Sequence, residues 1–135
     1  MLKAAGYEVL GVTVLPDDEA VLLNEMIKLC DEEGADVVFT TGGTGFSPRD
    51  NTPEATLKAA TKAAPGIAEA MRYHSLQITD RAMLSRAVSV MRNRSLIINL
   101  PGSPKAVREC LEYILPPLSH GIAIMRGEDG ECAGR

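Results

Sequence analysis

Residues 37–51 constrain the fold more than any other stretch of the chain. Val37, Val38, Phe39, Thr40 and Thr41 form a short apolar and β-branched run, the pattern of a strand buried on both faces of a parallel sheet. The run passes directly into TTGGTG at 40–45, with glycine at 42, 43 and 45, and then into FSPRDN. Thr52-Pro53-Glu54 reads as a helix start, with Thr52 as N-cap and Pro53 at the first helical position. A strand end, a glycine loop and a helix N-terminus are thereby forced close together.

The rest of the chain repeats the alternation. Residues 7–14 (YEVLGVTV) are β-branched and predict a strand. From Asp18 to Glu33, Leu22, Leu23, Met26, Ile27 and Cys30 recur at helical spacing, and Gly34 is the expected C-cap. Helices are expected from 52 to about 63 and from 66 to 76, and strands over 87–91 and 95–100 joined by a tight turn at Arg92, Asn93 and Arg94. Ser103 and Pro104 open a further helix, which Pro116-Pro117 is expected to interrupt before it resumes over 118–125. Strands alternating with helices predict an α/β fold with a mostly parallel sheet. The 135 residues suit one domain, spanning 1–126 with a flexible tail at 127–135. Residues 1–6 (MLKAAG) read as the end of a helix.

Composition narrows the function classes. A net charge of −4 argues against a general nucleic-acid binder, and 4% aromatics with no tryptophan argue against a base-stacking platform. Cys30, Cys110 and Cys132 are odd in number and lack CxxC spacing, so reduced thiols in the cytoplasm are expected rather than disulfides or zinc. No apolar run is long enough to span a bilayer, so no membrane association is expected.

Ligands of open α/β sheets bind beyond the carboxyl ends of the strands. Three loops qualify: the one holding Asp17 and Asp18, the glycine loop with Arg49 and Asp50, and residues 99–105 (NLPGSPK). Glycines remove Cβ atoms that would hold a ligand off the backbone, and successive N–H groups can form an anion nest. Alone, these glycines favour a tight strand-to-helix turn with no ligand. An acidic residue beside an anion loop makes sense when it binds a cation shared with the anion. Asp50 and Asp17 could together hold Mg²⁺ with phosphate oxygens. The alternatives are a helix-dipole role for Asp50 and an N-cap role for Asp17. Arg49 and Lys105 are candidate phosphate partners or solvated charges, and His74 and His120 are read as ordinary helix-face residues.

The segment TTGGTGFSPRDNTPEAT (40–56) closely resembles the signature of the molybdenum-cofactor biosynthesis family of MogA, MoaB and the gephyrin G domain. LPD at 15–17, APG at 64–66, MLSR at 83–86 and LIINLPGSPKAVRECLEYILP at 96–116 extend the resemblance over residues from about 6 to 126. It implies a three-layer α/β/α domain that assembles as a homotrimer. The implied reaction is Mg²⁺-dependent transfer of AMP from ATP to the terminal phosphate of molybdopterin, with release of pyrophosphate and handover of the product to a molybdenum-insertion protein. It places the essential acidic pair on Asp17 and Asp50. Phosphate or nucleotide binding falls on Thr41, Gly42, Gly43, Thr44 and Gly45 and on Asn99, Pro101, Gly102 and Ser103. Ser85 falls near the pterin, with Arg49 and Lys105 on the substrate side. A phosphate nucleophile is already ionised at neutral pH, so no general base is required.

Members of this family begin with a further strand, a Ser-Asp loop and most of a first helix, none of which precedes Met1. The resemblance therefore carries the expectation of a truncated N-terminus, a gap within the sheet and an incomplete pterin site. Other functions in view are a MoaB-type protein that binds molybdopterin with little or no transferase activity, a non-catalytic oligomerising module, and a hydrolase of damaged nucleotides.

Overall fold

The computed structural model describes residues 1–128. The predicted tail lies mostly outside the described residues, as does Cys132. Helix α1 (Glu19–Ile27) runs into a π-helical turn (Lys28–Glu32) and is followed by β1 (Val37–Thr41), α2 (Thr52–Ala59), a two-residue β2 (Lys62–Ala63) and α3 (Pro65–Leu76). A 3₁₀ turn (Asp80–Leu84), β3 (Ser89–Arg92), β4 (Ser95–Leu100) and α4 (Pro104–Met125) complete the order.

The α/β class holds, but the sheet is mixed. In the order β1-β4-β3-β2, only β1 and β4 are parallel, with Val37 opposite Leu96 and Thr41 opposite Leu100. β3 pairs antiparallel with both β2 and β4. The cause is the tight turn between β3 and β4. Asn93 takes the left-handed conformation, φ 51°, that a two-residue hairpin needs, so β4 must run back along β3. The residues expected to extend α2 to about 63 instead form β2, because Thr61 and Ala64 bond to the β3 backbone.

β4 is buried along its whole length, and its side chains alternate between two layers. Leu96, Ile98 and Leu100 pack with Ala68 and Met71 of α3 and with Cys110, Leu111, Ile114 and Leu118 of α4. Ile97 packs on the other face with Val38 of β1, Met26 of α1, Cys30 of the π-helical turn, and Ala55 and Ala59 of α2. Three layers, α/β/α, follow. Burial pushes the Cys30 and Cys110 thiols up from their ordinary range, which suits inert core residues.

Local signals and packing compete elsewhere. Helix α4 runs unbroken through Pro116 and Pro117, against expectation. Both prolines face solvent, so the carbonyls they leave without N–H partners can bond water, while Ile114, Leu115 and Leu118 hold the inner face. Ser103 caps α4 as expected, accepting from the Ala106 N–H at 3.1 Å. The N-cap of α2 is Asn51, not Thr52, because Thr52 is drawn into the helix with its N–H donating to the Gly43 carbonyl.

Residues 7–14, expected as a strand, enter no strand pairing among the described residues. Val12 and Val14 are 89% and 94% exposed, and β1 forms the sheet edge with no further strand beside it among the described residues. Residues 1–6 form one helical turn closed by Gly6 at φ 92°, with Tyr7 N–H donating to the Leu2 carbonyl and Gly6 N–H to that of Lys3. That is the backbone geometry of a helix C-terminus. No helix among the described residues is long and apolar enough to cross a membrane.

Asn99 is fully buried, and its carboxamide joins three elements. Its Oδ1 accepts from the Val88 N–H at 3.1 Å, and its Nδ2 donates to Thr40 Oγ1 of β1 at 3.0 Å and Thr56 Oγ1 of α2 at 2.9 Å. Asn99→Ala strands the Val88 N–H in the interior and should lower unfolding stability by about 2–3 kcal/mol. Urea denaturation checks this, and a loss below about 0.5 kcal/mol would show the site to be water-filled instead.

Candidate active site

The carboxyl ends of the parallel strands β1 and β4 carry the two loops that the sequence singled out. They touch: the Gly42 N–H donates to the Leu100 carbonyl at 3.2 Å, and a Cβ on Gly102 would lie 3.6 Å from the Gly42 Cα. The glycine loop is shaped by its own packing. Gly43 has φ 71°, and a Cβ there would fall 2.2 Å from Thr52 Oγ1. A Cβ on Gly45 would lie 2.9 Å from Asp50 Oδ2. These two glycines let the chain close on itself, which is a different requirement from ligand approach. Gly42, at φ 82° with open space where a Cβ would project, is the position that leaves room for a ligand.

Asp50 is folded into this turn. Its Oδ2 accepts from the Gly45 and Ser47 N–H groups, each at 3.1 Å, and its own N–H donates to the Ser47 carbonyl at 2.9 Å. Its carboxylate is therefore turned toward the loop rather than toward the helix dipole. Asp17 does not cap α1; Asp18 does, accepting from the Val21 N–H at 3.1 Å. The Asp17 side chain is left exposed, and its carbonyl accepts from Asn51 Nδ2 at 3.4 Å. The two aspartates thus lie on adjoining segments.

Asn51 Oδ1 is buried and has no hydrogen-bond partner. An orphaned oxygen between two carboxylate-bearing segments is a hard donor set, the kind that suits Mg²⁺. No group of three or more His, Cys, Asp or Glu that could hold a metal occurs among the described residues. The two carboxylates would therefore hold Mg²⁺ only with oxygens of a substrate or water completing the shell.

A cavity of about 310 Å³ opens beside the loop. Ser85, Thr44, Gly45 and Pro101 line one part of it, and Met71 and Cys110 another. Ser85 is held there through its carbonyl, which accepts from Arg72 Nη1 at 3.1 Å, and through its hydroxyl, which accepts from the Ala87 N–H at 3.3 Å. Thr44 is buried and Thr41 exposed. Other residues singled out in the sequence do not converge. Arg49 is exposed at the tip of the turn, and Lys105 projects into solvent 4.0 Å from Glu109. Ser103 is engaged in capping α4, and the Asn99 carboxamide is fully used inside the protein. His74 stacks on Tyr113 with ring centroids 4.2 Å apart, the helix-face role expected of it.

The sequence reading passed over Arg86, Glu54 and Asn51. Arg86 Nε donates to the Gly45 carbonyl at 2.7 Å and its Nη2 to the Asp50 carbonyl at 2.8 Å. Glu54 receives both terminal nitrogens, at 2.7 and 3.2 Å. These hydrogen bonds hold the Glu54 carboxyl below its ordinary value of 4.5. The only sequence signal for them was their place inside the PRDNTPEAT and MLSR blocks.

The chain matches the family described as a probable molybdopterin binding domain over residues 1–120, and it belongs to that family. It is 46% identical to the molybdopterin adenylyltransferase of Helicobacter pylori strain J99 over 114 residues, 84% of this chain and 65% of that protein. It is likewise 46% identical to the Escherichia coli K12 protein of the same name over 105 residues, 78% of this chain and 54% of that one. The chain thus spans between half and two thirds of the length of these relatives. Among solved structures, the molybdopterin biosynthesis enzyme MoaB from Thermus thermophilus superposes with TM-score 0.83 at 45% identity, covering 89% of this chain and 76% of that one. The Mog protein from Mycobacterium ulcerans gives 0.83 at 34% identity, with 92% and 80% covered.

Two outcomes follow from this geometry. Gly43→Ala combines a left-handed backbone with an overlap on Thr52 and should cost at least about 2 kcal/mol in urea denaturation, whereas Gly42→Ala meets only the backbone penalty and should cost less. Equal losses would mean that the loop relaxes around the added methyl. Glu54, with a depressed folded pKa, contributes stability that is complete above pH 4.5 and is lost as pH falls through the folded value. The stability gap between wild type and Glu54→Gln should therefore be widest near neutrality and narrow below pH 4.5. A gap independent of pH would count against the ion pair.

Proposed function

We propose that this protein acts in molybdenum cofactor biosynthesis, transferring AMP from ATP to the terminal phosphate of molybdopterin. The observation that carries the reading is the Asp50 carboxylate, locked into the glycine loop with the Asp17 segment tied beside it, and bonded to Gly45, which itself lines an apolar cavity edged by Ser85. A phosphate nucleophile and a triphosphate are both anionic, so the site has to align them and neutralise charge before chemistry. Asp17 and Asp50, with Asn51 Oδ1 nearby, are the groups that would hold Mg²⁺. That ion, when bound, supplies charge neutralisation on the triphosphate and on the departing pyrophosphate.

In the reaction, an oxygen of the molybdopterin phosphate forms a bond to the α-phosphorus, and the bond from that phosphorus to the bridging oxygen of the β-phosphate breaks. The electron pair leaves with pyrophosphate. No proton has to be removed, which agrees with a site whose histidines are engaged elsewhere. With the Gly42 and Gly45 N–H groups already donating to Leu100 and Asp50, the loop N–H groups between them would hold phosphate without adding mobile charge. The cavity beside Ser85 and Thr44 is of a size to admit the pterin ring. Arg49 and Lys105, exposed and long, would meet phosphate from the solvent side, and Ser103 and Asn99 would serve through the loop they shape.

The same reading takes the protein to be cytoplasmic, consistent with buried unpaired Cys30 and Cys110, and to assemble as a homotrimer that passes its product to a molybdenum-inserting partner. Exposed Tyr73, Leu76, Ile78 and Met83 at the end of α3 and the following turn support self-association. The MoaB likeness keeps a second reading in view, in which molybdopterin is bound and not adenylylated.

Incubation with molybdopterin, ATP and MgCl₂ should release pyrophosphate. Asp50→Asn keeps an acceptor for the Gly45 and Ser47 N–H groups but removes the charge, and should lower turnover by at least about 100-fold with molybdopterin affinity within about threefold of wild type. Molybdopterin binding without any pyrophosphate release by the wild type would establish the binding-only reading.

A further inference from the structure

We propose that Arg86 is a positioning residue for the reaction just described: its guanidinium clamps both ends of the turn that carries Asp50 and so sets the direction of that carboxylate. The proposal rests on the adenylyl-transfer reading for its kinetic consequence and on geometry alone for its structural one.

Arg86 sits just after the 3₁₀ turn that follows α3, and its own N–H donates to the Thr44 carbonyl at 2.8 Å. From there the planar fork reaches three separate places. Nε holds the Gly45 carbonyl at the start of the turn. Nη2 holds the Asp50 carbonyl at its end. Nη1 and Nη2 together take both carboxylate oxygens of Glu54, in the first turn of α2. Within the same turn, Gly45 and Ser47 direct their N–H groups onto Asp50 Oδ2. Fixing the carbonyl of Gly45 fixes the peptide plane beside the Gly45 N–H, and so the acceptor that this N–H selects. One rigid group thereby transmits its orientation to the carboxylate without touching it. Lysine cannot do the same, because an ammonium is a single point of donation and not a fork.

Charge points the same way. Asp50 and Glu54 place two negative charges near one positive one. Glu54 takes Arg86 as a two-pronged pair, whereas Arg86 meets only the backbone carbonyl of Asp50. The Asp50 carboxylate feels the Arg86 charge but makes no ion pair with it, so its oxygens stay open to a cation. A purely architectural arginine would be expected to gather acceptors from elements of the core. Two of the acceptors here are carbonyls of the glycine turn itself, and the third lies on the helix that this turn opens.

The test uses the full chain and two independent readouts. In Arg86→Lys, amide hydrogen exchange at Gly45 and Ser47 should speed up by about tenfold or more, while exchange at Ile97 and Ile98 in β4 stays at wild-type rates. Turnover should fall by about tenfold or more with the KM for ATP within about threefold. In Arg86→Ala, added guanidinium ion at low millimolar concentration should recover part of the turnover, and ammonium should not. Should Arg86→Lys fail to fold, Glu54→Gln takes its place in the exchange measurement, with faster exchange confined to the same two amides.

Unchanged exchange at Gly45 and Ser47, or a uniform rise that includes Ile97 and Ile98, would overturn the proposal, the latter because it marks a general structural role. Exchange is measured without ATP or molybdopterin. A wild-type protein that releases no pyrophosphate therefore defeats the adenylyl-transfer reading while the clamp is still decided by its amides.

Discussion

A carboxamide in the middle of a sheet has to have its hydrogen bonds met, because the interior offers no water in exchange. Asn99 meets this constraint by holding Val88, Thr40 and Thr56 at once. Those three residues lie in the lead-in to β3, in β1 and in α2. Their mutual placement sets where β1 ends and where α2 begins, and the glycine loop has to bridge that fixed gap. Its left-handed residues at Gly42 and Gly43 and the absence of a Cβ at Gly45 are responses to the gap. The helix N-terminus, the Asp50 turn and the cavity beside Ser85 inherit their positions from it.

Charge in this turn is arranged by separation. One carboxylate, Glu54, is ion-paired with Arg86, while Asp50 is hydrogen-bonded by neutral N–H donors and feels the Arg86 charge without contact. Hydrogen bonds from neutral donors orient a carboxylate while leaving its formal charge in place. A carboxylate prepared in that way can neutralise an incoming cation, which one already paired with arginine cannot do as well. The second aspartate, Asp17, is brought alongside through backbone and carboxamide, so its charge is also uncommitted. This division of labour suits a site meant to receive highly anionic substrates together with a divalent ion.

The parts of this arrangement that were legible in the sequence are local ones. Gly34 as a C-cap, Ser103-Pro104 as a helix start and the tight turn at Asn93 are decided by a few adjacent residues, and backbone sterics alone select them. The two-sided burial expected of residues 37–41 belongs instead to β4, because β1 lies at the sheet edge and buries only Val38. The direction of the strands was not legible, because periodicity is the same for parallel and antiparallel neighbours and only the connection decides. Pro116 and Pro117 misled because the packing of Ile114 and Leu118 outweighs a local break when the freed carbonyls face water. Thr52 and Asn51 exchanged cap roles because the Gly43 carbonyl, nine residues upstream, captured the Thr52 N–H. Arg86 was hidden for a similar reason. Its acceptors at Gly45 and Asp50 stand 41 and 36 positions away, and an arginine has no spacing rule that announces such a reach.

The unpaired segment at residues 7–14 has a consequence for handling the protein. Among the described residues it pairs with no strand, Val12 and Val14 are almost wholly in solvent, and β1 has no strand on its outer side. Unsatisfied strand edges recruit whatever strand is at hand, including those of identical molecules. Association through these edges is open-ended, while a trimer built on side-chain surfaces is closed and stops at three. Concentration would therefore separate the two: closed assembly saturates at one size, and edge-to-edge growth continues into larger species.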